Sequence, residues 1–296
     1  MKRHGRVSTA LAVTGVVVAA YAYGALSHEH RWFPTPQIER ALRKRLWLVR
    51  ERRGFKNTAG REEVPCERFR QPGTAILLTM GQSNAANEGE FEPGYQPGPN
   101  VFNFNFFDGK CYVARDPLLG GTGAGGSPWT RLGDALVAAG RFERVLIVPI
   151  AVGGSAIREW AKGGVHYGRI AEAQRALDRQ GLRVTHVLWH QGEADARSTS
   201  HAQYVAAFRS VLDGIRSAGI TAPVYVATAS ICKNQGSEAI RSAQHEIVAT
   251  LDNVRAGPDT DQLDRFRWRF DLCHFSKEGL AEHARLWFEV LQKPDE

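Results

Sequence analysis

Four short segments of this 296-residue chain carry residue types that together could perform acyl transfer. The first is Gly81-Gln82-Ser83-Asn84, which directly follows the apolar run Thr74–Met80. A short apolar stretch bounded by Gly has the composition of a parallel strand buried on both faces. Gly81 permits a sharp turn, and Ser-Asn suits a helix start, where backbone N–H groups converge and the helix dipole favours negative charge. That is a place to stabilise an oxyanion, so Ser83 is a candidate nucleophile. Gln82 and Asn84 beside it are candidates for binding the substrate or its oxyanion. Taken alone, Ser-Asn after a strand also reads as an ordinary N-cap.

The other three segments strengthen the first. Ala151-Val152-Gly153-Gly154-Ser155 has a glycine pair that lets the backbone approach a ligand closely. His190-Gln191-Gly192-Glu193-Ala194-Asp195 follows the apolar Val187-Leu188-Trp189. Asp271-Leu272-Cys273-His274 places an Asp three residues before a His. On one turn such a pair can hydrogen-bond, which fixes the imidazole tautomer and turns its other nitrogen toward a serine. Each segment alone has a plain reading: a turn, a loop carboxylate, a partly buried histidine. Together they supply a nucleophile, a backbone N–H, an amide donor and an Asp–His pair.

Bringing these segments together requires a particular fold. Strand signals at Arg144–Ile150, Val184–His190 and Val224–Thr228 alternate with helical stretches at 168–181, 201–218 and 237–251, and a last helix spans 275–291. Strands separated by helices imply an α/β protein, a three-layer α/β/α sandwich with a central parallel sheet. In such folds ligands sit beyond the carboxyl ends of the strands, where all four segments fall. Val101–Phe106 alternates strictly before Asp108-Gly109, which predicts a β-hairpin inserted between the first strand and its helix. Ser127-Pro128-Trp129 reads as the N-cap and first turn of a helix to about Gly140. The glycine-rich 120–126 stretch lacks the Gly-Lys-Ser/Thr ending of a phosphate loop.

In these residues the chain resembles the SGNH (GDSL-like) hydrolase superfamily, most closely its sialate O-acetylesterase and carbohydrate esterase family six branch. The resemblance covers about residues 74 to 291, with the four segments in the family's order. It implies a flavodoxin-like SGNH hydrolase fold, with Ser83 as nucleophile, His274 as general base and then acid, and Asp271 as its orienting carboxylate. The N–H groups of Ser83 and Gly154 (or Gly153) would line the oxyanion hole. The Asn of the superfamily's third block is replaced here by Ala194, so the Gln191 amide is expected to supply the missing donor. Glu193 either assists or replaces Asp271, or bonds loop N–H groups. The implied substrate is an O-acetyl group on a carbohydrate. Phe102, Phe104, Phe106, Tyr112 and Trp160 are candidates for stacking on sugar rings, alternating Phe being also a common hairpin packing.

The net charge of +7 is unevenly placed. Residues 1–72 hold 15 Lys and Arg against 6 Asp and Glu, whereas the remainder holds 23 against 25. The near-neutral globular part and the lack of a nucleic-acid motif argue against nucleic acid as a partner. Lys2, Arg3 and Arg6 precede a 17-residue apolar run, Ala10–Leu26. This run is read as an uncleaved membrane anchor or a secretory signal peptide, with the rest of the chain exported to the periplasm or exterior. Residues 1–27 are then anchor or signal, 28–72 a basic helix (Pro36–Arg53) and linker, and 73–296 the hydrolase domain. Four cysteines beyond the apolar run suggest two disulfides. Cys232 follows a strand and Cys273 sits in the histidine turn, which pairs Cys232–Cys273 and leaves Cys66–Cys111.

The expected reaction is two-step acyl transfer through an acyl-Ser83. Activity is expected to rise as an imidazole base loses its proton, about pH 6–7 for a histidine. No metal or other cofactor is expected, since the histidines lack ligand spacing. An α/β-hydrolase is excluded by the missing Gly-x-Ser-x-Gly elbow. Two rivals share the fold: an acetyltransferase acting on an envelope polysaccharide, and a non-catalytic envelope binding module. Oligomeric state has no signal in the sequence.

Overall fold

A computed structural model describes residues 54–293, together with Tyr23. The chain divides into two compact units, Met1–Arg52 and Arg53–Glu296. The expected N-terminal hydrophobic helix and the basic helix at 36–53 lie outside the described residues, Tyr23 apart. Among the described residues no helix is long and apolar enough to cross a membrane.

One mixed sheet organises the second unit. Its strands are β1 (Glu63–Val64), β2 (Thr74–Gly81), β3 (Val101–Asn105), β4 (Lys110–Val113), β5 (Arg144–Pro149), β6 (His186–His190), β7 (Val224–Thr228) and β8 (Val254–Asp259), in the order β1-β4-β3-β5-β2-β6-β7-β8. The helices are α1 (Pro128–Ala138), α2 (Ile157–Trp160), α3 (Tyr167–Arg179), α4 (His201–Ser217), α5 (Glu238–Thr250) and α6 (Lys277–Leu291). Strands β5, β2, β6, β7 and β8 are mutually parallel and follow the 2-1-3-4-5 order of doubly wound sheets. The switch point lies between β2 and β6, at the strand ends that carry Ser83 and His190.

Alternation along β2 explains why helices cover both faces. Ile76, Leu78 and Met80 join a core with Leu177 of α3, Phe208 of α4 and Ile247 of α5. Ala75 and Leu77 face the opposite way, into a core with Trp129 and Leu132 of α1 and Trp287 of α6. Helix starts follow their side chains: Ser127 accepts from Trp129 N–H ahead of Pro128, and Ser276 accepts from Gly279 N–H. Ser200 and Gln203 form a reciprocal capping box on α4.

One expectation needs correction. The stretch from Phe55 to Gly73, read as linker, is built into the domain: β1 pairs antiparallel with β4, and Phe55 exchanges backbone bonds with Gly120 and Gly121. Its polar composition conceals the ladder because backbone groups make it. Strands β3 and β4, between β2 and α1, pair antiparallel, and β3 also pairs parallel with β5, which joins them to the main sheet. Strand β8 carries Gly257 and Pro258 with no apolar run, so neither period announces it. Both disulfides form, Cys66–Cys111 and Cys232–Cys273, as fits an exported protein.

Candidate active site

Strand β2 delivers Ser83 by a turn that only glycine permits. Gly81 has φ +120°, and a Cβ there would lie 2.0 Å from the carbonyl oxygen of His190. The chain therefore crosses tightly over the end of β6, with Gln82 N–H donating to His190 O at 3.1 Å, and enters a 3-10 turn at Ser83–Ala85. Ser83 is 4 % exposed. Among the described residues, its N–H and that of Gly154 meet no protein acceptor. Gly153 differs, because its N–H donates to Thr122 Oγ1 at 2.7 Å. Of the glycine pair, only Gly154 (φ +71°) keeps a donor to offer.

The histidine turn is held from several sides. Asp271 Oδ2 lies 2.7 Å from His274 Nδ1, and Oδ1 accepts from the backbone N–H groups of His274 and Cys273 at 2.6 and 2.9 Å. Burial raises the Asp271 carboxyl, but these three hydrogen bonds outweigh it and hold the group below the ordinary aspartate range. Leu272 takes φ +67°, which bends the turn so that Asp and His meet. Its carbonyl accepts from Lys233 N–H at 2.8 Å, beside the Cys232–Cys273 disulfide. The carbonyl of Cys273 accepts from Arg269 Nη1 at 2.6 Å. The fully buried Arg269 also donates to Leu263 O and Thr260 O.

The two turns are joined one residue away from the chemistry. Asn84 Nδ2 donates to Cys273 O at 3.1 Å and to Glu193 Oε1 at 2.7 Å. Among the described residues neither Ser83 Oγ nor His274 Nε2 has a hydrogen-bond partner. Catalytic hydrogen bonds of this kind often close only when substrate is bound.

The third segment supplies a buried support rather than a reacting group. Glu193 bonds Asn84 and His190, whose Nε2 lies 3.1 Å from Oε1, and makes no bond to His274. Burial pushes the Glu193 carboxyl up, yet the neighbouring His190 and the Asn84 amide hold it down at about 2. Trp287 Nε1–H donates to His283 Nε2, and His190 Nδ1 lies 3.0 Å from the same nitrogen. Burial, with His190 and Arg269 nearby, lowers His283 well below the ordinary histidine value and keeps it neutral.

Gln191 departs from the donor role expected of it. It is fully buried, and its Nε2 is taken up by Asp195 Oδ2, Ser155 O and Gln82 Oε1. Tyr204 donates to its Oε1 at 3.0 Å. Gln82 is placed differently: Oε1 accepts from Ala194 N–H at 2.9 Å and Gly192 N–H at 3.3 Å. Both are backbone donors, which fixes the amide orientation and leaves Nε2 without a protein acceptor. The candidates for stacking on sugars, Phe102, Phe104, Phe106, Tyr112 and Trp160, are all buried, as the packing reading of alternating Phe requires. The histidine segment's own aromatics went unnoticed, because residues 264–270 show no strand or helix period.

A family model described as carbohydrate esterase, sialic acid-specific acetylesterase, matches residues 73–291. The chain belongs to this family. Carbohydrate esterases are carboxylic ester hydrolases, and this chain is one by family. A probable carbohydrate esterase of Arabidopsis thaliana, At4g34215, is 37 % identical over 57 residues, which span 19 % of this chain and 22 % of that protein. The crystal structure of the Arabidopsis protein AT4G34215 superposes with a TM-score of 0.61 at 20 % identity, over 75 % of this chain and 98 % of that one. The crystal structure of NanS gives 0.51 at 16 % identity, over 74 % and 96 %. At these identities the superpositions establish the shared fold of the esterase domain.

Proposed function

We propose that this protein removes O-acetyl groups from a carbohydrate through a Ser83-His274-Asp271 acyl-enzyme mechanism. The observation that carries the reading is the Asp271–His274 pair, hydrogen-bonded at 2.7 Å and tied to the serine turn through Asn84. In the first step Ser83 Oγ attacks the acetyl carbonyl carbon and its proton passes to His274 Nε2. The developing oxyanion takes the N–H groups of Ser83 and Gly154, with Gln82 Nε2 as the side-chain donor. Collapse breaks the bond to the sugar oxygen, which leaves with the proton from His274. Water then attacks the acetyl-Ser83 carbonyl, gives a proton to His274, and releases acetate as Ser83 recovers its hydrogen.

Asp271 holds the imidazole tautomer and offsets the charge that His274 gains. Glu193 acts one step removed, by holding Asn84. The test is acetate release from acetylated glycans by wild type and Ser83→Ala, with fluorophosphonate labelling of both. Wild type is expected to turn over and label at residue 83. Equal turnover by Ser83→Ala removes the proposal. Acetate recovered on a polysaccharide hydroxyl instead of in solution would reassign the acceptor.

A further inference from the structure

The exposed aromatic surface of the esterase domain is concentrated beside His274. Within residues 54–293 the exposed large hydrophobic side chains are Phe91 (45 %), Phe266 (66 %) and Phe270 (41 %). Phe266 and Phe270 belong to the histidine segment, and Phe91 is brought to it from a distant part of the sequence. Phe270 N–H donates to His274 O at 3.0 Å, and the two rings lie 6.4 Å apart at a tilt of 34°. Phe91 follows Glu90, whose N–H donates to Phe275 O at 2.9 Å and whose carboxylate accepts from Lys277 N–H. Phe266 lies in the turn closed by Trp268 N–H to Arg265 O, and Trp268 O in turn accepts from Ser276 N–H. Leaving a Phe in water forgoes the gain of burying it, and a grouped exposed set marks a binding face.

From this placement we infer that Phe91, Phe266 and Phe270 form a stacking subsite for a pyranose ring of the acetylated substrate. The inference rests on the esterase reading and specifies how its substrate is gripped. A phenyl ring has no polar handle, so its partner must offer an apolar face. A pyranose does so with its axial C–H groups while its hydroxyls point outward. The surrounding side chains suit that rim: Asp264, Arg265 and Arg267 are exposed between and beside the rings, and the Arg267 guanidinium lies 4.5 Å from the Trp268 ring centre. A lipid surface is the weaker fit, because carboxylates of Asp264 and Asp271 lie in the same patch, and because Phe270 abuts the imidazole that must stay open to an ester.

The experiment compares two acetates, glucose pentaacetate with its ring and ethyl acetate without one, in wild type, Phe266→Ala, Phe91→Ala and the double variant. The double variant is expected to lower kcat/KM for the sugar acetate about tenfold relative to that for ethyl acetate, mainly in KM, and Phe266→Trp to restore it. Binding of glucose pentaacetate to Ser83→Ala protein, followed by calorimetry, should weaken by the same factor when the two Phe changes are added. An unchanged ratio, or unchanged binding, overturns the subsite. Sedimentation of wild type with phosphatidylglycerol vesicles, abolished by the same two changes, also overturns it in favour of a membrane face. If wild type cleaves neither acetate, the esterase reading fails, and the calorimetric arm still decides the subsite.

Discussion

Asn84 donates its side-chain amide to the carbonyl of Cys273 at 3.1 Å, so the residue after the proposed nucleophile holds the residue before the proposed base. The same amide donates to buried Glu193, which makes the serine turn, the histidine turn and the third segment one hydrogen-bonded unit. Asn84→Ala strips both bonds and leaves a buried carboxylate with one donor fewer. A loss of roughly 1–3 kcal/mol per abandoned buried partner predicts that kcat/KM falls at least about tenfold. Steady-state hydrolysis of p-nitrophenyl acetate measures it, and wild-type kinetics in Asn84→Ala would separate the two turns.

The two candidate acids should differ in kind. Asp271→Asn removes the carboxylate on His274 and is expected to lower kcat on the order of 10²–10⁴-fold. Glu193→Gln, which retains an acceptor for Asn84, should cost far less and leave the shape of the pH–rate profile alone. A reversed order of severity would make Glu193 the orienting acid.

Glu193 also predicts a pH dependence of stability. Its folded-state value near 2 lies below the ordinary 4.5, so its stabilising contribution is complete above about pH 4.5 and is lost as pH falls toward 2. Urea unfolding of wild type and Glu193→Gln should therefore differ most at neutral pH, draw together below about pH 4.5 and converge only near pH 2. A gap that stays constant from pH 7 to 3 contradicts this.

Gln191→Ala should register in folding more than in chemistry. It deprives Tyr204, Asp195 and Ser155 of partners in a dry interior, at roughly 1–3 kcal/mol for each group left unsatisfied. Thermal melting should drop by several degrees, with kcat per folded molecule within about threefold of wild type. A hundredfold loss of kcat at unchanged melting temperature would return Gln191 to the oxyanion.

The Cys232–Cys273 bridge closes a separation of 41 residues, for which chain entropy gives about 4 kcal/mol. Cys232→Ser/Cys273→Ser should lose stability of that order, and kcat as well, because the bridge abuts the Asp271–His274 turn. Fluorophosphonate labelling against urea concentration tracks both losses. Full activity in the reduced protein would make the bridge irrelevant to the site.

Legibility in the sequence followed the kind of interaction involved. The apolar strands β2, β5, β6 and β7 and the capped helices were readable, since burial leaves a period and capping needs Ser, Thr or Asn at a fixed place. The Asp271–His274 bond was readable because both partners lie on one turn. What escaped detection depends on atoms distant in sequence. The direction of the Gln191 amide is decided by Asp195, Ser155 and Gln82, and the spending of the Gly153 N–H by Thr122. Phe102, Phe104 and Phe106 alternate as a half-exposed strand does, yet they are covered on both faces, because helices pack over β3.

Gly81 brings β2 over the end of β6 so closely that the pairing of those two strands fixes the turn at Ser83. The imidazole comes from a segment added almost two hundred residues later and is clamped there with the help of an oxidative crosslink. The two halves of the proposed catalytic pair are thus set by distant parts of the chain, the serine turn by the crossing at Gly81 and the imidazole by the Asp271–His274 turn.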